Sequence, residues 1–322
     1  MSFATSVKDD LSRVISQKRC CRQAELAACL RWAGNINIGP AQSLSLTLST
    51  QHAGAARKIF TLCKDLFNLK VEMMVYRKNS LKRNQVYSIH ILPQKGVYKL
   101  LELLGAMDKN DIWRLDFPGP PDLRTIKKNC CQRAYLRGAF LVAGSINDPG
   151  GEYHLEIICN DQQQASLLQE LMFQFAIKGK ITRRKQQYII YLKESDQIID
   201  LLNVMGSHRS LLEFENTRIV KGMRNQVNRV VNCETANLNK TIDAGLRQAE
   251  DIQLIADKIG LEKLPHQLRE VAQLRLSYPE KSLTELAEFI RLGRSGINHR
   301  LRRLSEIADN IRDFGAENWH KK

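Results

Sequence analysis

The stretch LAACLRWAGNI, Leu26 to Ile36, runs through helix-forming residues to a glycine and then turns toward β-branched ones. LRGAFLVAGSI, Leu136 to Ile146, does the same 110 residues later. Extending the comparison outward aligns RCCRQAELAACLRWAGNINI from Arg19 with NCCQRAYLRGAFLVAGSIND from Asn129. The match covers an adjacent cysteine pair, Leu26 with Leu136, Ala33 with Ala143, Gly34 with Gly144 and Ile36 with Ile146. One constant offset for all these pairs marks an internal repeat, and a repeat fixes the architecture before any single element does.

The parallel continues downstream. The alternation in SLSLTLST, Ser43 to Thr50, and its counterpart YHLEIIC, Tyr153 to Cys159, predict half-buried strands. Helical stretches follow near Ala53 to Asn68 and near Asp161 to Lys178. Two hairpins come next, KVEMMVYRKNSLKRNQVYSIHIL and KGKITRRKQQYIIYLKE, in which KRNQVY and RRKQQY align at an offset of 101. Helices containing VYKLLELLGAM and IIDLLNVMGS close the copies. Each unit thus reads as helix, strand pair, helix, strand pair, helix.

The leading helix of each copy carries small residues, Ala27, Ala28 and Ala33 in one and Gly138, Ala139, Ala143 and Gly144 in the other. Small side chains allow two backbones to approach, so the two helices are expected to pack together on a pseudo-twofold axis. The plainer alternative gives each domain its own separate core helix.

Bulk properties set the outer bounds. The chain has 322 residues, 43% of them hydrophobic, enough for two or three domains with buried cores. There is no uncharged apolar run long enough to span a membrane and no apolar leader in MSFATSVKDDLSRV, which predicts a soluble cytoplasmic protein. The net charge of +15 points to a polyanionic partner. Residues 1–207 hold 29 Lys and Arg against 18 Asp and Glu, and residues 208–322 hold 20 against 16, so most of the excess lies in the repeats. The eight cysteines form no C-x-x-C and have no His at zinc spacing; they read as reduced, mostly buried thiols rather than redox or metal groups.

The two helices resemble the motif helices of LAGLIDADG homing endonucleases, in which such a pair forms the domain interface and each repeat contributes a curved sheet that straddles DNA. That resemblance implies an acid at the penultimate motif position, which holds the catalytic divalent metal. Here those positions are Ala33 and Ala143, and a methyl group binds no metal. The nearest downstream acid, Asp148 in NDPGG, reads as a turn residue. The resemblance therefore implies a DNA-shaped scaffold without nuclease activity, no catalytic residue, no metal and no cofactor. Basic hairpin residues support that surface: Arg77, Lys78, Lys82 and Arg83 in the first copy, and Lys178, Lys180, Arg183, Arg184 and Lys185 in the second. Solvated hairpin tips would read the same way.

After Gly206 the composition changes. NTRIVKGMRNQVNRVVNCETANLNKT, Asn216 to Thr241, reads as helices of an extended connector, with Met223, Val227, Val230 and Val231 as an apolar stripe expected to pack in a core. From His266 the sequence predicts three helices. The first runs to Ser277; the second starts at Ser282 or nearby Lys281, the spacing of Ser282 to Glu285 being that of a capping box, and runs to Ile290; the third ends near Asp309. Ala287, Leu292 and Ile297 have the spacing of helix-turn-helix packing residues, with Arg291 where that motif often has Gly. On the third helix Ile297, Leu301 and Leu304 share one face. The opposite side offers Arg294, Ser295, Asn298, His299, Arg302 and Arg303, donor-rich groups suited to phosphates and major-groove base edges. A three-helix protein-interaction module is the alternative. His299 has no companion His, Cys or carboxylate cluster in the segment for general-base or metal chemistry.

Two degenerate endonuclease-like repeats followed by a helix-turn-helix resemble the WhiA family of bacterial sporulation and cell-division regulators. The phrases RNQVNRVVNCETAN and RSGINHRLRRL carry most of that resemblance. The expected fold class is α+β: two LAGLIDADG-like αββαββα repeats, then an all-α connector and helix-turn-helix domain. The expected boundaries are 1–125 for the N-terminal segment and first repeat, 126–207 for the second repeat, 208–264 for the connector, 265–313 for the helix-turn-helix and 314–322 for a tail. The family implies a sequence-specific, nucleoid-associated transcription regulator of Gram-positive bacteria, linked to cell division, chromosome organisation or sporulation. Its partners would be double-stranded DNA and other transcription or division proteins. The competing readings are an active LAGLIDADG-type endonuclease and a protein-interaction scaffold.

Overall fold

In a computed structural model of the chain, residues 2–40, 43–77, 85–106 and 126–316 are described. The chain divides into two compact units, Met1–Lys221 and Gly222–Lys322. The first is α+β and the second all-helical.

A short helix, α1 (Phe3–Arg13), begins at Ser2, whose hydroxyl accepts the Thr5 N–H. The first repeat follows as α2 (Arg19–Ala33), β1 (Gly34–Ile38), β2 (Leu44–Thr50), α3 (Ala53–Phe67), β3 (Val71–Arg77), β4 (Gln85–Ile91) and α4 (Lys95–Leu103). The second copies it with α5 (Asn129–Ala143), β5 (Gly144–Ile146), β6 (Leu155–Cys159), α6 (Gln162–Phe173), β7 (Lys180–Arg184), β8 (Gln187–Leu192) and α7 (Ser195–Met205). The order predicted for each repeat is present in both. Each repeat forms a four-stranded antiparallel sheet, ordered β1-β2-β4-β3 and β5-β6-β8-β7.

Two predicted helix ends differ, one of them that of the last helix, expected to end near Asp309 and running on to Phe314. The helix expected to reach Lys178 stops at Phe173. Ala176 takes a left-handed backbone (φ 61°), and the Ile177 N–H turns back to the Met172 carbonyl. That reversal buries Ile177 in the core and delivers the chain to β7; the requirement of the following strand overrides helix propensity.

The predicted pairing of α2 with α5 is present, and it explains why α2 is apolar nearly all round. Cys21, Ala24, Ala28 and Trp32 lie in the core shared with the second repeat, while Leu26, Ala27, Cys29 and Leu30 fill that of the first. At the crossing, Gly138 stands against Ala28, its own repeat equivalent. A Cβ on Gly138 would lie 2.5 Å from the Glu25 carbonyl oxygen and 2.9 Å from the Ala28 Cβ. Self-opposition of equivalent positions marks the pseudo-twofold axis. The Cys29 thiol reaches the Gly138 carbonyl at 3.6 Å, and the Trp32 indole donates to the Ile158 carbonyl at 2.9 Å.

A buried ion cluster crosses the same interface. Arg137 on α5 makes two parallel bonds to Glu25 on α2, Nε to Oε1 at 3.0 Å and a terminal nitrogen to Oε2 at 2.9 Å. Lys58 on α3 also pairs with Glu25 and donates to the Leu11 carbonyl at 2.8 Å. Arg137 uses a further nitrogen on the Met205 carbonyl at 3.0 Å.

The connector is one 51-residue helix, α8 (His208–Lys258), and the boundary between the two units falls inside it. Asp10 caps its start, accepting from the Ser210 N–H at 3.2 Å and the Ser207 hydroxyl at 2.9 Å. Met223, Val227, Val230 and Val231 are exposed. The expectation that they pack in a core is corrected: apolar spacing puts them on one side of the helix, but burial needs a second element against that side.

The second unit adds α9 (His266–Ser277), α10 (Leu283–Phe289) and α11 (Arg294–Phe314). The capping box is formed, with the Ser282 hydroxyl on the Glu285 N–H and the Glu285 carboxylate on the Ser282 N–H. Those bonds hold the Glu285 carboxyl down at about 2. Ile252 and Ile255 at the end of α8 pack with Leu264, Val271, Leu286, Ile297, Leu301 and Leu304 in one core. Buried Arg275 ties the α9–α10 connection by donating to the carbonyls of Lys281 (2.7 Å) and Pro279 (3.3 Å).

Candidate nucleic-acid interface

The turn between α10 and α11 aims the third helix. The Leu292 N–H returns to the Ala287 carbonyl at 3.0 Å, while Arg291 adopts φ 50°. This is the left-handed stop that ordinarily favours Gly, so the departure noted in the sequence is an arginine held at positive φ in the turn itself. Arg291→Gly is therefore expected to raise stability by about 0.5–1 kcal/mol, seen as a higher urea midpoint; an unchanged or lower midpoint would show that the arginine is unstrained there.

Beyond this turn Ile297, Leu301 and Leu304 are buried, as expected from their spacing. Arg294, Ser295, Asn298, His299, Arg302 and Arg303 are all exposed on the first three turns of α11. The structure thus brings the six sequence-predicted residues of this helix onto one solvent-facing surface. Glu306 sits beside two of them, 3.4 Å from Arg302 and 2.9 Å from Arg303, and restrains their guanidinium groups. Sequence reading missed Gly293 and Gly296 at the head of this helix. Gly293 caps it without a side-chain bond, and a Cβ on Gly296 would meet nothing within 4 Å. A helix N-terminus left this bare exposes backbone N–H groups to an approaching phosphate.

The basic hairpin residues divide. Strand alternation puts Lys180, Thr182 and Arg184 on the open face of the second sheet, opposite Tyr191, Ile189 and Gln187. Arg183 points to the other face, over the Tyr188 ring at 5.7 Å. Lys185 occupies the β7–β8 turn with φ 58°, and Lys178 precedes β7, its N–H bonded to the Gln197 side chain at 2.6 Å. Arg77 ends β3 opposite Gln85. Lys78, Lys82 and Arg83 lie outside the described residues.

The open face of the first sheet carries a hydrogen-bonded polar row that the sequence reading did not single out. Asn37 donates to Thr47 at 2.8 Å, and His90 lies 2.9 Å from the Ser88 hydroxyl. The signal was present in the alternation of SLSLTLST, whose polar positions define this face.

Ala33 and Ala143 end α2 and α5, each partly buried. A cleft of about 1250 Å³ opens beside Val142 and Gly144, lined also by Lys8, Asp9, His52 and Arg77. Burial lowers the Lys8 ammonium to about 8. Among the described residues lining this cleft the carboxylate is Asp9, which pairs with His52 at 3.2 Å. Glu25, farther back on α2, is buried and already held by Arg137 and Lys58. Asp148 serves its turn, accepting from the Gly150 N–H at 2.8 Å.

No helix among the described residues is long and apolar enough to cross a membrane. Residues 19–107 match the WhiA N-terminal LAGLIDADG-like domain, residues 132–224 the WhiA LAGLIDADG-like domain and residues 227–308 the WhiA C-terminal HTH domain. The probable cell division protein WhiA of Heliobacterium modesticaldum is 50% identical over 311 residues, covering 96% of each chain. That of Desulforamulus reducens is 49% identical over 325 residues, covering 100% of each. Full-length DUF199/WhiA from Thermatoga maritima aligns with 96% of this chain and 99% of its own, at a TM-score of 0.57 and 26% identity. Three adjoining domain matches in this order, with such identity along the whole length of these relatives, show that the chain belongs to the WhiA family.

Proposed function

We propose that this protein is a sequence-specific, DNA-binding transcription regulator that acts in cell division, chromosome organisation or sporulation and does not cleave DNA. The observation that carries this reading is the exposed donor surface of α11, set on a helix-turn-helix whose opposite face is buried. In the major groove, Arg302 and Arg303 would address guanine, and Asn298 adenine, while the Gly293–Gly296 turn would receive a phosphate. Lys180 and Arg184, with the polar row through Asn37, Thr47 and His90, would add backbone contacts that position the duplex without reading it. Protein partners from the transcription or division machinery would dock elsewhere on the repeats. The protein would act in the cytoplasm, on the nucleoid.

The absence of cleavage follows from Ala33 and Ala143: neither motif helix ends in a hard oxygen ligand for Mg²⁺. Incubation with supercoiled plasmid and Mg²⁺ or Mn²⁺ should leave it intact. Nicking that co-purifies with the protein and is abolished by Asp9→Asn would overturn this part of the reading.

Genome-wide mapping of bound DNA tests the regulator as a whole. The full chain should occupy discrete sites, and a truncation ending at Leu264 should lose them. Retention of the same sites by the truncated chain would move recognition to the repeats.

Arg302→Ala should weaken binding to such a site by about 1–3 kcal/mol with little effect on random DNA, measured by fluorescence anisotropy. Equal losses on both would make Arg302 a phosphate contact. Gly296→Ala should stabilise the helix by up to about 1 kcal/mol, since the methyl meets open space, yet reduce DNA affinity by obstructing the helix head. A variant both more stable and equally tight would remove the phosphate from that turn.

A further inference from the structure

Cys20 and Cys21 are the second and third residues of α2, and Cys130 and Cys131 occupy the same positions of α5. Read separately, each pair looks like two small hydrophobes. Packing of the helices about their axis brings all four sulfurs within 4.8 Å of one another, with Cys130 and Cys131 at 4.0 Å. Cys21 and Cys131 are buried and Cys20 and Cys130 half-buried. Among the described residues, this is the group of potential ligand side chains that converges on one point. The other cysteines behave differently: Cys29, Cys63 and Cys159 are buried among apolar side chains, and Cys233 is exposed.

We infer that these four cysteines form a structural Zn²⁺ site that clips the two repeats together across their pseudo-twofold axis. A tetrahedral thiolate site with Zn–S bonds of about 2.3 Å needs sulfur separations of about 3.8 Å. A set already within 4.8 Å reaches that geometry through side-chain rotation, with each sulfur moving inward by roughly half an ångström. Four sulfurs and no oxygen ligand select a soft cation over Mg²⁺ or Ca²⁺. Binding balances as one Zn²⁺ and four thiols giving a tetrathiolate complex of charge −2 and four released protons.

The surroundings favour that negative charge. Two helix N-termini converge on the cluster, each bringing partial positive charge, and the capping residues of the two helices are Lys18 and Lys128, neither with a side-chain cap bond. A clip here joins chain positions about 110 residues apart. It also lies at the far end of α2 and α5 from Ala33 and Ala143, where the related endonucleases would hold their catalytic metal. A zinc ion would therefore act on the packing of the repeats, without any part in phosphodiester chemistry.

The test uses the full chain, purified under reducing conditions, stripped with a chelator and re-equilibrated with Zn²⁺. Elemental analysis should return about one zinc per chain. Replacement by Co²⁺ should give intense visible bands of tetrahedral thiolate ligation and sulfur-to-metal charge transfer in the near ultraviolet. Cys20→Ser/Cys130→Ser should weaken zinc binding more than about 100-fold, whereas Cys233→Ser should leave it unchanged. Should the double variant fail to fold, the cobalt spectrum of the unaltered chain still decides. Four titratable free thiols with no metal retained in excess Zn²⁺, an octahedral cobalt spectrum, or a mass deficit showing that the pairs are disulfides would each overturn the site.

Discussion

Glu25→Ala is expected to destabilise the Met1–Lys221 unit by about 3–5 kcal/mol, measured by urea unfolding followed by circular dichroism. Glu25 is 1% exposed and holds two cations that are themselves buried, Arg137 and Lys58. Removing the carboxylate leaves both charges without their counter-ion, with less than a tenth of either side chain exposed. The Arg137 nitrogens that met Glu25 would lose their acceptors, although its bond to the Met205 carbonyl would remain. A domain stabilised by about 5–15 kcal/mol in total cannot lose this much without populating unfolded chain.

The same physics predicts partial rescue. Burying an ion cluster has a large desolvation cost, so replacing all three charged members with apolar residues of similar volume should recover most of the loss. Glu25→Leu/Lys58→Met/Arg137→Met is accordingly expected to be more stable than Glu25→Ala alone. If Glu25→Ala costs less than about 1 kcal/mol, as an exposed pair would, water reaches the cluster and the burial argument fails.

This cluster also shows where sequence reading stops. The repeat, its αββαββα order, the Ser282 capping box and the buried face of α11 are written in local spacing, because periodicity and turn chemistry act over a few residues. Ala33 and Ala143 were legible for the same reason, once the two helices had been aligned. The partnership of Glu25 with Arg137 spans 112 residues, and no periodicity encodes it. The four cysteines were visible as two pairs, but their convergence required the repeat symmetry to be applied to the pairs themselves. The exposed stripe on α8 failed in the opposite sense: apolar residues at helical spacing indicate a face, and only tertiary structure says whether anything covers it. On the hairpins, composition grouped Lys180, Arg183 and Arg184 as one basic cluster, whereas strand alternation sends Arg183 to the other side of the sheet.

Gly138→Val is expected to cost about 3 kcal/mol, near the upper end of overpacking penalties, with a matching fall in the urea midpoint. The reason is backbone contact. The first atom of any side chain at this position would fall 2.5 Å from the Glu25 carbonyl oxygen, part of a helix that cannot rotate away as a flexible side chain could. The helices would have to separate, and separation also loosens the bonds between Glu25 and Arg137, the residue just before Gly138. Helix propensity works the other way, since valine is a better helix former than glycine. A net loss would therefore show that packing dominates. The axis supplies a second test. Because Gly138 faces its equivalent Ala28, moving the methyl across the interface in Ala28→Gly/Gly138→Ala removes one of the two clashes made by Gly138→Ala. The double variant should be more stable than Gly138→Ala alone, despite carrying a second altered residue and a glycine in the middle of α2. Additive losses from the two changes would mean that the residues do not face each other, and the pseudo-twofold packing of the two repeats would have to be redrawn.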